Sequence, residues 1–418
     1  MMLNFFKSGF YSNLKWVLLL SVLALVVELS VHFFLFSLGA VTDIRTKNEY
    51  LVYFLPFAGL FIGYVYHLLG KSSEGGNNLL IDAYYSSIKR IPLISTPLVF
   101  FGTIATHLFG GSAGREGAGL QIAGGYVDFF IRMFKFTEKE RHILVKVAVA
   151  GGFSAVFGTP FTAVFFAFEF FNIGKPNFKG ALSVIYVAFL VEFFSSLLGL
   201  EHTFYDVKQI PTFEYIYIFY LIVAGLIFGL SARFFNFSLT NIHKYFARYI
   251  PHLPYRLFVG GLLVLILTLV LNTHIYLGIG INTILNAFDQ AQGFEVFLFK
   301  IIFTSITLGS GFKGGEVTPL FFVGATLGSF VSTFLPLPIG ILAALGFVSV
   351  FSGAANTPIA CLILAVELFG FEILPYALIT CIVAYFTSGY TSIFNKQKVT
   401  NFKLFKRPEF LGKRISEL

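Results

Sequence analysis

Residues 110–117 read Gly110-Gly111-Ser112-Ala113-Gly114-Arg115-Glu116-Gly117, and a strongly apolar run follows. A second such stretch lies far downstream: Gly309-Ser310-Gly311-Phe312-Lys313-Gly314-Gly315-Glu316-Val317-Thr318-Pro319. A third, Glu74-Gly75-Gly76-Asn77-Asn78-Leu79-Leu80, precedes both. Each is a glycine-rich break at the start of an apolar helix. A helix start has unpaired N–H groups and a partial positive charge, so it attracts anions. Glycine lets backbone approach an ion closely. Pro319 suits a first helical position, where a missing N–H costs nothing. In lipid, unpaired backbone is tolerated only where it is buried in protein or lines a cavity. Three such starts aimed at one place make an anion site. For Gly124, Gly324 and Gly328, close helix packing is the better explanation.

The rest of the chain places these breaks in a membrane. It has 418 residues, of which 56% are hydrophobic and only 12% charged, with a mean hydropathy of +0.82. Soluble domains carry about 25% charge. A soluble enzyme or a nucleic-acid-binding module is excluded, despite a net charge of +8. Two cysteines in apolar runs, Cys361 and Cys381, exclude a disulfide scaffold. The eight histidines are scattered without metal-ligand spacing, so neither a metal nor a cofactor is expected.

Apolar segments fall near 16–38, 51–70, 92–109, 119–134, 144–171, 182–199, 214–236, 256–273, 294–308, 319–335, 338–352, 358–370 and 375–388. They are continuous runs rather than the alternation of a barrel, so the chain is all-α and polytopic. Lys7 and Lys15 precede the run Trp16–Phe36, which is too long for a signal peptide and reads as a retained first helix. Several later segments are too short to cross, which suggests helices that stop inside the membrane. Most of the 56 phenylalanines read as lipid-facing bulk.

The chain also repeats itself. Gly111-Ser112 matches Gly309-Ser310, Phe153-Ser154 matches Phe351-Ser352, Thr159-Pro160 matches Thr357-Pro358, and Glu169 matches Glu367, every pair 198 positions apart. Asn78-x-x-x-Asp82-Ala83-Tyr84 matches Asn282-x-x-x-Asn286-Ala287-Phe288 at an offset of 204. Two similar halves with interrupted helices are the build of many secondary transporters, whose substrate site lies at the repeat interface. The halves span 1–210 and 211–395. A basic tail, 396–418, follows, with Lys396, Lys398, Lys403, Lys406, Arg407, Lys413 and Arg414. Positive-inside bias places it in the cytoplasm, with anionic lipid as its partner and no nucleic acid.

Glu116 is the sharpest residue. A carboxylate between glycines at a buried helix start is expensive. It can occupy the anion's own place, and it can shed its charge by taking a proton. A plain ion pair with Arg115 is the bland alternative. Thr318 offers a hydroxyl to an anion. Glu316 reads equally as a second proton stop or as an acceptor for glycine amides. Of Asn77 and Asn78, one faces the ion and the other caps the following helix. Glu169 and Glu367 read as structural or interface groups, and Glu28 and His32, one turn apart, as a pair.

Gly114-Arg115-Glu116-Gly117-Ala118 resembles the Gly-Lys/Arg-Glu-Gly-Pro loop of the CLC anion channels and transporters, with Ala118 in place of proline. The stretch from Glu138-Lys139-Glu140-Arg141-His142 to Glu169 is similar too, and the resemblance spans about residues 50–395. It implies two inverted-topology repeats with discontinuous helices in a homodimer, one anion path per subunit, and Glu116 as the gating, proton-carrying residue. The departures are informative. Asn77 stands where the family has an anion-coordinating serine. Glu316-Val317-Thr318-Pro319 replaces Gly-x-Phe-x-Pro. Phe170 stands where the chloride/proton antiporters have an internal proton glutamate. Together these resemble the fluoride-exporting branch, which is bacterial and exchanges fluoride for protons.

That resemblance implies an anion site of Asn77, Gly114, Arg115, Gly117, Val317 and Thr318, with Glu316 as a proton-pathway candidate. The family's inner aromatic is either Tyr390, which has the hydroxyl, or Phe394, which fits by position. The expected function is fluoride/proton antiport in a bacterial plasma membrane, both termini cytoplasmic. A chloride-type transporter or channel is the alternative. An enzyme acting on lipid is a remote one.

Overall fold

The computed structural model describes residues 9–86, 89–200, 202–203, 205–403 and 407–418, with side chains from residue 13 onward. Lys7 and Lys406 lie outside the described residues. The first half contains α1 (Gly9–Lys47), α2 (Leu55–Leu69), α3 (Asn78–Tyr85), α4 (Ser95–Leu108), α5 (Glu116–Phe134), α6 (Glu138–Phe157), α7 (Pro160–Glu169) and α8 (Ala181–Leu197). The second contains α9 (Tyr215–Tyr249), α10 (Leu253–Leu271), α11 (Ile281–Asp289), α12 (Phe294–Ser310), α13 (Val317–Val331), α14 (Ile339–Ala355), α15 (Pro358–Phe369) and α16 (Leu374–Thr387). The chain is an all-α polytopic membrane protein built of two inverted repeats. Among the described residues, one two-stranded parallel pair, β1 (Asn172–Ile173) with β2 (Lys398–Val399), joins the end of the first half to the tail.

Among the described residues, four helical stretches are long and apolar enough to cross a membrane: Asn13–Lys47, Glu49–Leu69, Tyr215–Tyr249 and Leu253–Leu271. The others fall short, as expected for a fold of partial crossings. The apolar run 144–171 is two helices rather than one. Gly158 takes a left-handed conformation (φ 67°) at the end of α6, and Pro160 begins α7. The break was legible in Gly158-Thr159-Pro160, because proline cannot continue a helix without losing a hydrogen bond. The first and ninth helices run further than their apolar stripes, ending only at Lys47 and Tyr249. The pair α3 and α11, matched through the Asn78 and Asn282 motifs, is short and lies in stretches that hydropathy passes over.

The inverted relation shows directly at α7 and α15. Glu169, at the end of α7, accepts from the amides of Ile359 (3.2 Å) and Ala360 (2.8 Å) at the start of α15. Glu367, near the end of α15, accepts from the amides of Phe161 (2.9 Å) and Thr162 (2.7 Å) at the start of α7. The two helices therefore lie head to tail.

The core that surrounds the breaks is aromatic. Phe153 packs on Phe157 and Phe166, each at 4.5 Å between ring centroids. Phe321 stacks on Phe347 at 3.9 Å and meets Phe157 and Phe351 edge-on. These rings come from α6, α7, α13 and α14, so the two repeats share one apolar interior. This group of phenylalanines is core rather than lipid-facing bulk. Such edge-to-face pairs add about 0.5–1.5 kcal/mol beyond their buried area.

Candidate anion site

The three breaks converge. Gly114 and Gly315 form an antiparallel bridge in which each amide donates to the other's carbonyl, at 2.7 and 2.8 Å. Glycine is required there. A Cβ on Gly315 would stand 2.6 Å from the Gly117 amide nitrogen, and one on Gly117 would stand 2.8 Å from Asn77 Nδ2. Asn77, Gly117 and Gly315 thus bring the starts of α3, α5 and α13 within contact of one another.

Glu116 lies across the junction. Its Oε2 accepts from the Thr318 amide at 3.1 Å and from the Arg115 amide at 3.1 Å, and the Thr318 hydroxyl donates to Oε1. The side chain is buried. One carboxylate therefore fills the donor sets of two helix starts, one from each repeat. The Arg115 guanidinium is a lesser partner, with Nε 3.8 Å from Oε1 and no hydrogen bond of its own at that nitrogen. Glu116 is thus no plain ion pair.

The remaining expected residues sort themselves by partner. Gly114 cannot offer its N–H to an anion, because the bridge to Gly315 consumes it. Gly117 stays at the junction beneath Asn77. Val317 and Thr318 open α13, and the Thr318 hydroxyl is bonded to Glu116. Glu316 immediately precedes α13, and its buried Oε2 has no hydrogen-bond partner. Asn77 is buried with Oδ1 unpaired. Neither asparagine caps α3 through its side chain. Asn78 instead accepts the Lys396 amide at 3.1 Å, so the expectation of a cap fails because the C-terminal segment takes that carbonyl. Glu28 and His32 are only loosely associated, at 3.9 Å, and neither Glu28 oxygen has a hydrogen-bond partner.

The two aromatic candidates part company. The Tyr390 hydroxyl accepts the Lys403 amide at 3.0 Å, and its ring meets Phe410 edge-on. It belongs to the packing of the C-terminal segment. Phe394 is buried, with its ring 4.7 Å from Phe170 and 6.3 Å from Phe166. Phe394 lies two residues before Lys396, whose backbone amide donates to Asn78 of the Glu74–Leu80 break.

Sequence reasoning missed several groups that hold the junction. Buried His107 places Nε2 3.0 Å from the Ala113 carbonyl, within the Gly110–Gly117 loop. Ser112 meets the Thr304 hydroxyl at 2.9 Å and donates its amide to the Thr307 hydroxyl at 3.1 Å. These threonines sit on one face of α12 but look like ordinary core positions in sequence. The C-terminal segment is also docked rather than free. Asp82 of α3 pairs with Lys396 and, at 2.8 Å, with Arg414. Those two charges therefore bind protein instead of lipid.

Three helix starts that meet at a common point, with a carboxylate lying across two of them, have the build of an anion site in a membrane protein of the inverted-repeat class. Residues 58–389 match the family model described as voltage gated chloride channel. The chain belongs to that family, the CLC channels and transporters. It is 37% identical over 395 residues to the "Chloride/fluoride channel protein" of Pseudomonas syringae pv. tomato, covering 93% of this chain and 87% of that one. It superposes with a TM-score of 0.89 and 34% identity on the crystal structure of a CLC-type fluoride/proton antiporter, covering 94% of this chain and all of that one. A slow cyanobacterial chloride/proton antiporter shares the fold, with a TM-score of 0.77 at 17% identity.

Proposed function

We propose that the protein is a fluoride/proton antiporter that uses the inward proton gradient to expel fluoride. The observation that carries this reading is the Glu116 carboxylate held by the Thr318 amide and hydroxyl and by the Arg115 amide. Those donors suit an anion, so the side chain and fluoride compete for one place. Protonation removes the charge, weakens the carboxyl group's hold on the donors and frees them. The departing group carries the proton, which couples the two fluxes. Fluoride holds its water tightly, and Thr318, Asn77 and the bare backbone beside glycine supply close donors in exchange. The two relatives named for fluoride support the choice of ion.

Within this reading Asn77, Arg115, Gly117, Val317 and Thr318 surround the ion, while Gly114 shapes the site without donating to it. Phe394 is the inner aromatic, and Glu316 is the proton-pathway candidate. The repeats are 1–210 and 211–395, followed by the basic segment 396–418. The protein works as a homodimer in a bacterial plasma membrane, with lipid around it and both termini in the cytoplasm. A chloride-channel family leaves no place for the lipid-enzyme alternative.

Purified protein in liposomes tests the reading. A fluoride gradient should drive proton uptake, and fluoride should leave faster than chloride. Fluoride efflux without proton movement would make the protein a channel. Equal or faster chloride efflux would place it in the chloride branch.

A further inference from the structure

Gln397 is fully buried at the point where both repeats meet the C-terminal segment. Its Nε2 donates to the carbonyl of Phe170, at the end of α7 (3.0 Å), and to that of Ala355, at the end of α14 (2.9 Å). Its Oε1 accepts from the Ser392 hydroxyl (2.7 Å) and from Asn356 Nδ2 (3.1 Å). A carboxamide has two N–H donors and two acceptor lone pairs, so every one is used. Ser392 passes the constraint on, because its hydroxyl oxygen accepts the Phe394 amide at 2.9 Å. The Gln397 amide in turn donates to the Phe394 carbonyl at 3.0 Å. Asn356, in a left-handed conformation (φ 60°), donates a second bond to the Thr391 carbonyl at 2.9 Å. Phe394 is thus tied through its N–H to the Ser392 hydroxyl and through its C=O to the Gln397 backbone amide, while the Gln397 side chain holds Ser392 and is itself tied to a helix end from each repeat.

We infer that Gln397 is a positioning residue that fixes the Phe394 ring at the inner end of the ion path and so sets discrimination between fluoride and chloride. The inference rests on the functional reading above, in which Phe394 lines that path. The Phe394 ring meets Phe170 at an interplanar angle of 62°, and the Phe170 carbonyl is one of the two that Gln397 holds. A shift of this node moves both rings together. Aromatic edges carry the positive part of the ring quadrupole, so a displaced edge changes both the width of the path and the field an anion meets there. A smaller, more strongly hydrated anion is the more sensitive to that change. Fully satisfied buried polar networks of this kind specify one arrangement, while partly satisfied ones do not.

The test measures fluoride and chloride efflux from liposomes for the wild type, Gln397→Met, Phe394→Ala and the double variant, with thermal unfolding in detergent as a fold check. Gln397→Met keeps the volume and removes all four hydrogen bonds. We expect a several-fold fall in the fluoride-to-chloride rate ratio, and no further fall when Gln397→Met is added to Phe394→Ala. Non-additivity of that kind is the mark of one residue acting through the other. A wild-type ratio in Gln397→Met, or the same fall in both backgrounds, overturns the inference and leaves Gln397 as a stability residue. If Gln397→Met gives no folded protein, Ser392→Ala carries the same comparison with the same two outcomes. Failure of the wild type itself to exchange fluoride for protons would instead refute the functional reading.

Discussion

Glu169 caps the helix that carries Glu367, and Glu367 caps the helix that carries Glu169. The two carboxylates occupy matching positions of the repeat, and each satisfies two backbone amides at the start of the other's helix. Only an inverted repeat with its axis between α7 and α15 lets equivalent residues do this for one another. The first four N–H groups of a helix have no partner within it, and inside a membrane no water replaces one. The exchange of caps therefore closes two short helices that could not otherwise end in apolar surroundings.

Removing either cap leaves two amides unpaired. At about 1–3 kcal/mol for each unpaired buried amide, Glu169→Ala and Glu367→Ala should each cost about 2–6 kcal/mol of stability. Glutamine at either position keeps one accepting oxygen and should cost less. Thermal unfolding in detergent measures this, and wild-type melting of both alanine variants would remove the structural role.

Glu116→Gln mimics a permanently protonated side chain. It cannot release a proton, so fluoride-driven proton uptake in liposomes should vanish, and fluoride exchange should stall or become uncoupled. Glu116→Ala also removes the group that fills the Thr318 and Arg115 donors, and should leave a passive fluoride leak. Normal proton uptake in Glu116→Gln would refute the mechanism.

Asn77 reaches the junction of the three helix starts with an unpaired buried amide oxygen. Asn77→Ser removes the NH₂ group and installs the residue of the chloride branch. The fluoride-to-chloride efflux ratio should fall. An unchanged ratio in a folded protein takes selectivity away from position 77.

Gly315→Ala places a methyl group 2.6 Å from the Gly117 amide nitrogen, where only backbone could give way. The Gly114–Gly315 bridge should open and transport should be lost, with a lower melting temperature. Retained coupled transport would mean that the bridge does not organise the site.

Phe170 is fully buried between Phe166, Phe171 and Phe394. Phe170→Ala empties that space and should destabilise the fold by about 3–5 kcal/mol, so it cannot report on coupling. Phe170→Leu should leave proton coupling intact, because no titratable group is needed there. Glu316→Gln should slow transport by removing a charge beside the site. Wild-type rates in Glu316→Gln demote it to packing.

Much of this architecture is legible in the residues. Hydropathy marks the membrane class because a chain this poor in charge cannot cover a soluble surface. The collinear matches from Asn78 to Glu367 expose the repeat, and the Gly-Arg-Glu-Gly motif points at Glu116. These are local or periodic signals, written into composition and spacing. What spacing cannot carry is the partner of each hydrogen-bonding group. Whether Glu116 holds to Arg115 or to Thr318, 202 positions away, depends on two helix starts arriving at one point. Whether the Gly114 amide serves an anion or Gly315 depends on the same convergence. Tyr390 and Phe394 are separated by the docking of the last residues, which draws one hydroxyl to Lys403 and buries one ring against Phe170. Gln397 looks like any polar residue in a basic tail until two carbonyls, a serine and an asparagine close around it. Burial in a membrane demands that every polar group find a partner, and only the folded chain determines which partner is within reach.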